Sequence, residues 1–185
     1  MKQSIIFAGA AASVLFIAGC ETTSSRPYKA STENIMAAQS AMQGSNAKVS
    51  MGNFSAASGV NIEPTCRALG ALEVAPGQSP IEYIEDALQE ELFTAGILEA
   101  GGTQIDGVIE VLEFNSFGTG SWDVALKLSS ANLPEGYTVD VHHEFKTSFS
   151  AINACQNVID AFQPTVAGLL NEAITDPNFV KLAGK

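Results

Sequence analysis

The tightest constraint on the fold lies between Tyr137 and Phe149. Tyr137, Val139, Val141, His143, Phe145, Thr147 and Phe149 share one parity; Thr138, Asp140, His142, Glu144, Lys146 and Ser148 share the other. Successive side chains of a strand point to opposite faces. This strict period of two therefore predicts a long strand, buried on one face and wet on the other, as in an antiparallel sheet covered on one side. Upstream, Trp122, Val124, Leu126 and Leu128 alternate with Asp123, Ala125 and Lys127. Val108 to Phe114 is apolar and β-branched with Glu110 and Glu113 intruding, the pattern of a bulged strand. Phe117-Gly118-Thr119-Gly120 and Asn132 to Gly136 connect these three strands into a meander. Lys48 to Phe54 predicts a first strand. Ser55 to Thr65, with Gly59, Asn61 and Pro64, predicts a loop, and Leu69 to Val74 a short second strand ended by Pro76-Gly77.

Two helices complete the pattern. Ser79-Pro80-Ile81-Glu82 has a capping Ser, a Pro at the first helical position and a Glu three residues after the cap. Ile81, Ile84, Leu88, Leu92 and Ala95 then recur at helical spacing up to Gly96. The last helix, from about Ala151 to Ile174, carries an apolar face of Cys155, Val158, Ile159, Phe162, Val166, Leu169, Leu170 and Ala173. Pro164 is expected to kink or split it. Asp176-Pro177 opens a terminal turn docked by Phe179 and Leu182. The expected class is α+β: a largely antiparallel or mixed sheet of about five strands with two main helices on one face, in the order β-β-α-β-β-β-α.

The chain opens differently. Met1-Lys2 is positive, Ile5 to Ile17 is apolar, and small Ala18 and Gly19 precede Cys20, the three-part pattern of a secretory signal peptide. The apolar run is short of the ~20 residues that span a bilayer; a buried helix or an N-terminal membrane anchor is the competing reading. Residues 21–46 are rich in Ser, Thr, Ala, Gln and Asn with no sustained period, so they read as a tether. The expected organisation is a signal peptide over 1–19, a lipidated N-terminus and flexible tether over 20–46, and one α+β domain over 47–185. Of the nine basic residues only Lys2 precedes Cys20, which leaves eight basic against 20 acidic side chains after it, a balance of −12. That balance disfavours nucleic acid and anionic lipid, both polyanions.

Ile17-Ala18-Gly19-Cys20 is similar to the bacterial lipobox. The resemblance implies a diacylglyceryl thioether on Cys20, cleavage before it, and acylation of the new N-terminus, since stable anchoring takes more than one chain. It places the protein on the periplasmic face of a membrane, and Glu21 in place of Asp leans toward the outer one. With Cys20 carrying lipid, Cys66 and Cys155 remain in a compartment that favours disulfides. A bond between them is expected, against the alternative of two unrelated buried thiols. Residues 47–182 resemble the YajG-like envelope lipoproteins and the N-terminal part of curli-secretion and TolB-type proteins. The likeness rests on Met51-Gly52-Asn53-Phe54, on Ile84-x-x-Ala87-Leu88-x-x-Glu91-Leu92-x-x-Ala95-Gly96, and on the meander that follows. It implies an accessory or scaffolding role with envelope partners. A curli-type channel also needs membrane-inserting hairpins, for which this chain has no spare strands.

No catalytic set is predicted. His142 and His143 are adjacent on a strand and point to opposite faces, so they cannot chelate one ion together. The chain has no Gly-x-Ser-x-Gly elbow, P-loop, dinucleotide fingerprint, zincin motif or EF-hand loop. Gly118-Thr119-Gly120 reads as a hairpin turn. Asp123, Asp140 and Glu144 converge on the wet face, where a solvated surface competes with acid–base work. The expectation is a lipoprotein with no enzymatic activity, cofactor or metal, held to the membrane through Cys20. The alternatives are a periplasmic hydrolase using surface carboxylates or His143, and a carrier of a small apolar ligand.

Overall fold

A computed structural model of the chain describes residues 27–184. The elements in order are α1 (Thr32–Ala41), β1 (Val49–Ala56), α2 (Pro80–Thr94), β2 (Thr103–Asn115), β3 (Thr119–Ser130), β4 (Leu133–Lys146), α3 (Ala151–Thr175) and α4 (Pro177–Leu182). The sheet runs β1-β2-β3-β4; β1 and β2 are parallel, joined through α2, and β2, β3 and β4 form the expected antiparallel meander. The helices cover one face, so the α+β class follows as read.

Two bulges set which residues face the core. In β2, Ile109 pairs with Leu126 and Val111 with Ala125, which leaves Glu110 as the extra residue. Before it Ile105 and Ile109 point inward; after it Leu112 does, and Phe114 follows by stacking on Trp122. The shift of parity lets Glu110 and Glu113 both reach solvent from an apolar strand. In β1, Gly52 and Asn53 together oppose Asp106. The Asn53 N–H donates to Asp106 Oδ1 at 2.8 Å. A Cβ on Gly52 would lie 2.3 Å from that same oxygen, so the carboxylate approaches because glycine stands there.

The core lies between sheet and helices. Trp122 is fully buried and donates from Nε1 to the Val158 carbonyl at 2.8 Å. Its ring packs on Phe162, 4.8 Å between centroids, and Phe162 on Tyr83 at 5.2 Å, which ties β3 to α3 and α3 to α2. The Ser79–Glu82 capping box of α2 forms in full. Phe179 and Leu182 of α4 are buried as expected.

Three expectations are corrected. Leu69 to Val74 does not join the sheet; Leu72 and Val74 are buried, but the segment makes only an isolated bridge, Thr65 to Ala71. Pro164 does not split α3, which runs unbroken over 25 residues. A proline costs about 3 kcal/mol in a helix interior; Pro164 stands on the exposed side of α3, and both halves of the helix hold it in line through one continuous buried face, Val158 and Phe162 before it, Val166 and Leu169 after. Finally, part of the expected tether is structured: α1 packs on α2 and α3 with Asn34 and Ala38 buried.

The docking of α1 is polar. Glu91 of α2 is fully buried, and its Oε1 accepts from the Tyr28 hydroxyl at 2.6 Å, the Ser31 N–H at 2.8 Å and the Asn34 side-chain amide at 3.2 Å. Asn34 also donates to the Ala167 carbonyl and accepts from Asn171. The Oε2 of Glu91 is buried with no partner.

Candidate docking surface

One end of the domain gathers three loops: the β1–α2 connection around Cys66, the β2–β3 tip at Ser116 to Gly118, and the β4–α3 turn at Thr147 to Ser150. Two devices lock them. Cys66 and Cys155 form the expected disulfide, S–S 2.03 Å, fastening the first loop to α3. Arg67, the next residue, adopts a left-handed backbone with φ of 50°, a conformation costing about 1–3 kcal/mol outside glycine. Its guanidinium donates from Nε to Ser116 Oγ at 3.2 Å, from Nη2 to the carbonyls of Ser116 and Ser148, and from Nη1 to the Phe149 carbonyl at 3.3 Å. It also lies over the Phe117 ring, 4.4 Å from the centroid. Every acceptor is neutral, and among the described residues no carboxylate pairs with it.

The locked loops hold apolar side chains in water. Phe149 is 107% exposed, Phe117 66%, Ile152 54% and Leu69 53%. Four of the seven large exposed hydrophobics among the described residues thus lie at this end, where contiguous apolar surface marks contact sites. An open cleft of about 340 Å³ separates Phe117 from Phe149, floored by Gly118 and Thr147. A smaller one of about 90 Å³ lies over the disulfide between Leu69 and Ile152. Phe149 was expected on the buried face of β4. The strand instead ends at Lys146, whose carbonyl accepts from Asn157, and Ser150 caps α3, so the chain turns away and leaves Phe149 in the open.

The charge pattern agrees. The chain has 20 Asp and Glu, and none lies in 64–72, 114–122 or 145–159, which carry Arg67 and Lys146 instead; Glu113 lines an open cleft of about 430 Å³ beside Arg67 and Phe117.

On the open face of the sheet, Asp123 and His142 meet: Nδ1 to Oδ1 is 2.6 Å, and Nε2 lies 3.7 Å from Glu144. The hydrogen bond to Asp123 raises the His142 pKa, and the Asp123 charge adds to it. Ser121 Oγ bonds to Asp123 at 3.4 Å, not to the imidazole, so no hydroxyl stands in a nucleophile-to-base relation. Asp140 makes no contact in this group. His143 faces the helices, half-buried, as the alternation required. Cys20 lies outside the described residues. Among those described, no group of three His, Cys, Asp or Glu is placed to hold a metal ion, and no helix is long and apolar enough to cross a membrane.

No family model matches the chain, and no curated protein does. Among solved structures, protein XCC0632 from Xanthomonas campestris, assigned to the DUF330 family, is similar at 15% identity with a TM-score of 0.46, over 69% of this chain and 84% of that one.

Proposed function

We propose that the protein is a lipoprotein anchored through Cys20 on the periplasmic face of the outer membrane, an accessory without catalytic activity that works by contact. The observation that carries this reading is the locked, apolar end of the domain. Strained backbone at Arg67 and a covalent bond between distant segments are spent there on holding loop-borne apolar side chains in water. Such a surface has a use only when something covers it. The alternative, a hydrolase, draws on the 2.6 Å Asp123–His142 pair, an exposed pair with no nucleophile beside the ring.

The two readings separate in cells. The doubly substituted chain Phe117→Ser/Phe149→Ser should be exported, acylated and stable, yet should reproduce the envelope defect of a deletion strain. Asp123→Asn should behave as the native chain. The reverse pattern would select the hydrolase. Mass spectrometry of the mature N-terminus tests the anchor: an unmodified residue at the start of the mature chain would remove it.

A further inference from the structure

We infer that the outer edge of β4 binds a second copy of this chain. Asp140 to Lys146 pairs antiparallel with the same residues of the second copy, about a two-fold axis at His143, and joins the two sheets into one. The inference goes beyond the contact role proposed above and does not depend on the membrane anchor.

The two edges of the sheet are built differently. The β1 edge is blunted. The Val49 N–H donates to the Ile97 carbonyl at 3.0 Å, and the Glu99 N–H donates to the Val49 carbonyl at 2.8 Å. The bulge at Gly52 and Asn53 then bends the strand. Covering and bulging are the usual ways to keep a sheet edge from pairing. The β4 edge has neither between Tyr137 and Lys146, where its pairing with β3 runs unbroken and no proline intervenes. Among the described residues, no backbone group from Tyr137 to Phe145 bonds to anything beyond β3. An edge strand turns the N–H and C=O of every second residue outward, so β4 presents a ready row of donors and acceptors.

The helix-side flank of this edge is incompletely covered. α3 runs beneath β4 in the opposite direction: the Asn157 side chain donates to the Lys146 carbonyl at 2.9 Å, and the Tyr137 hydroxyl to the Ala173 carbonyl at 2.7 Å. Trp122 and Val124 of β3 are buried there, yet His143 and Val141, their partners in β4, are only half-buried, as is Phe145. With His143 on the axis, Val141 stands opposite Phe145 of the second copy, and the reverse pair repeats it. His143 meets its own copy, where one imidazole can donate to the other. The pairing thus covers the flank that α3 leaves in water.

Charge selects the register. On the open face, Asp140, His142, Glu144 and Lys146 are all exposed. In the same pairing Asp140 opposes Lys146 of the second copy. Glu144 opposes His142, a ring that Asp123 biases toward the charged form. Symmetry makes each pair twice, and opposite charges directly across a ladder attract. A slip of two residues one way sets Asp140 against Glu144; the other way sets Glu144 against itself. Both are repulsive. A slip of one residue would turn the helices of the second copy to the opposite side. Charged side chains normally guard an edge against pairing; these guard it against the neighbouring registers.

The test uses the full chain as purified from cells, in detergent micelles, read by native mass spectrometry and hydrogen exchange. The native chain should form dimers. Their formation should slow amide exchange within 139–145 and leave 49–56 unchanged. Lys146→Glu makes the open face of the strand acidic, and Asp140→Lys/Glu144→Lys makes it basic. All three side chains are exposed, and emission from buried Trp122, the sole tryptophan, checks the fold. Each variant alone should self-associate at least about tenfold more weakly. An equimolar mixture should restore the dimer, with one copy of each. A native chain that stays monomeric would overturn the inference, as would a dimer indifferent to both variants or one that protects 49–56 instead. A dimer that Phe117→Ser/Phe149→Ser dissolves and the charge variants spare would place the contact at the loop end. Protection of 139–145 that appears only with added envelope extract would give the edge to another protein. Either result overturns the pairing. The dimer needs no lipid, so an unacylated chain would remove the anchor and leave this result standing.

Discussion

Glu91→Ala should undock α1 while leaving the rest of the domain folded. The carboxyl oxygen removed accepts three hydrogen bonds, from Tyr28, Ser31 and Asn34. Bonds of this kind are worth about 0.5–1.5 kcal/mol each, and about 1.5–3 where one partner is charged. Two effects reduce the sum. Burying Oε2 without a partner already costs the native state about 1–3 kcal/mol. The freed donors can also regain water if α1 lifts, because α1 buries only Asn34 and Ala38 within its span. The net loss should be about 2–4 kcal/mol of local stability. At 1.4 kcal/mol per tenfold, amide exchange over Ile35 to Ala41 should quicken roughly 30- to 700-fold. Exchange in β3, an inner strand of the sheet, should barely change. Native-state hydrogen exchange read by mass spectrometry measures both. Unchanged protection over 35–41 would refute the reasoning. Tyr28→Phe, which removes one bond only, should cost about 1 kcal/mol.

Cys66→Ala/Cys155→Ala opens a loop of 89 positions, for which chain entropy gives about 4–5 kcal/mol and real bridges deliver about 2–4; a lower urea midpoint with native far-UV circular dichroism is expected. Burial pushes Tyr83 up to about 12, with Glu90 adding to it, and burial likewise raises Tyr28 and Tyr137. Their folded values lie above the unfolded value near 10, so the stability they contribute is full below about pH 10 and lost as pH rises through 12 and beyond; urea midpoints from pH 8 to 12 should fall, and a flat profile would count against burial. Asp123→Asn should lower the His142 pKa, because the raised value comes first from that hydrogen bond; titration of the ring protons by NMR reads it directly.

How much was legible depended on what holds each element. β3 and β4 are held by apolar faces, and their alternation named the buried residues one by one, Trp122 to Leu128 and Tyr137 to Val139. The cap of α2 is local chemistry, so Ser79 and Glu82 disclosed it. α1 is held by hydrogen bonds converging on Glu91. Asn34 and Glu91 are 57 positions apart, and no periodicity encodes a polar pairing at that distance. The stripe of α2 was read correctly at Ile84, Leu88, Leu92 and Ala95, and the fold widens it: Tyr83, Ala87 and Glu91 are buried as well because α1 and α3 cover a second side.

The docking surface was missed for a different reason, and its signal was in plain view. Counting acidic residues over the whole chain gives −12 and argues against a lipid surface. Counting them by segment shows three stretches with none, at 64–72, 114–122 and 145–159, separated by 40 residues or more in sequence for the first two. Only the fold brings them together: the parallel β1–β2 pair carries Cys66 to the end where the β2–β3 tip lies, and the disulfide adds the start of α3. Electrostatic attraction acts over about 10 Å at 0.1 M salt, so what a partner senses is the charge of the end it approaches, not the net charge of the chain. A partner approaching this end meets Arg67, Lys146 and two phenylalanines, with Glu113 lining the cleft beside Arg67 and Phe117.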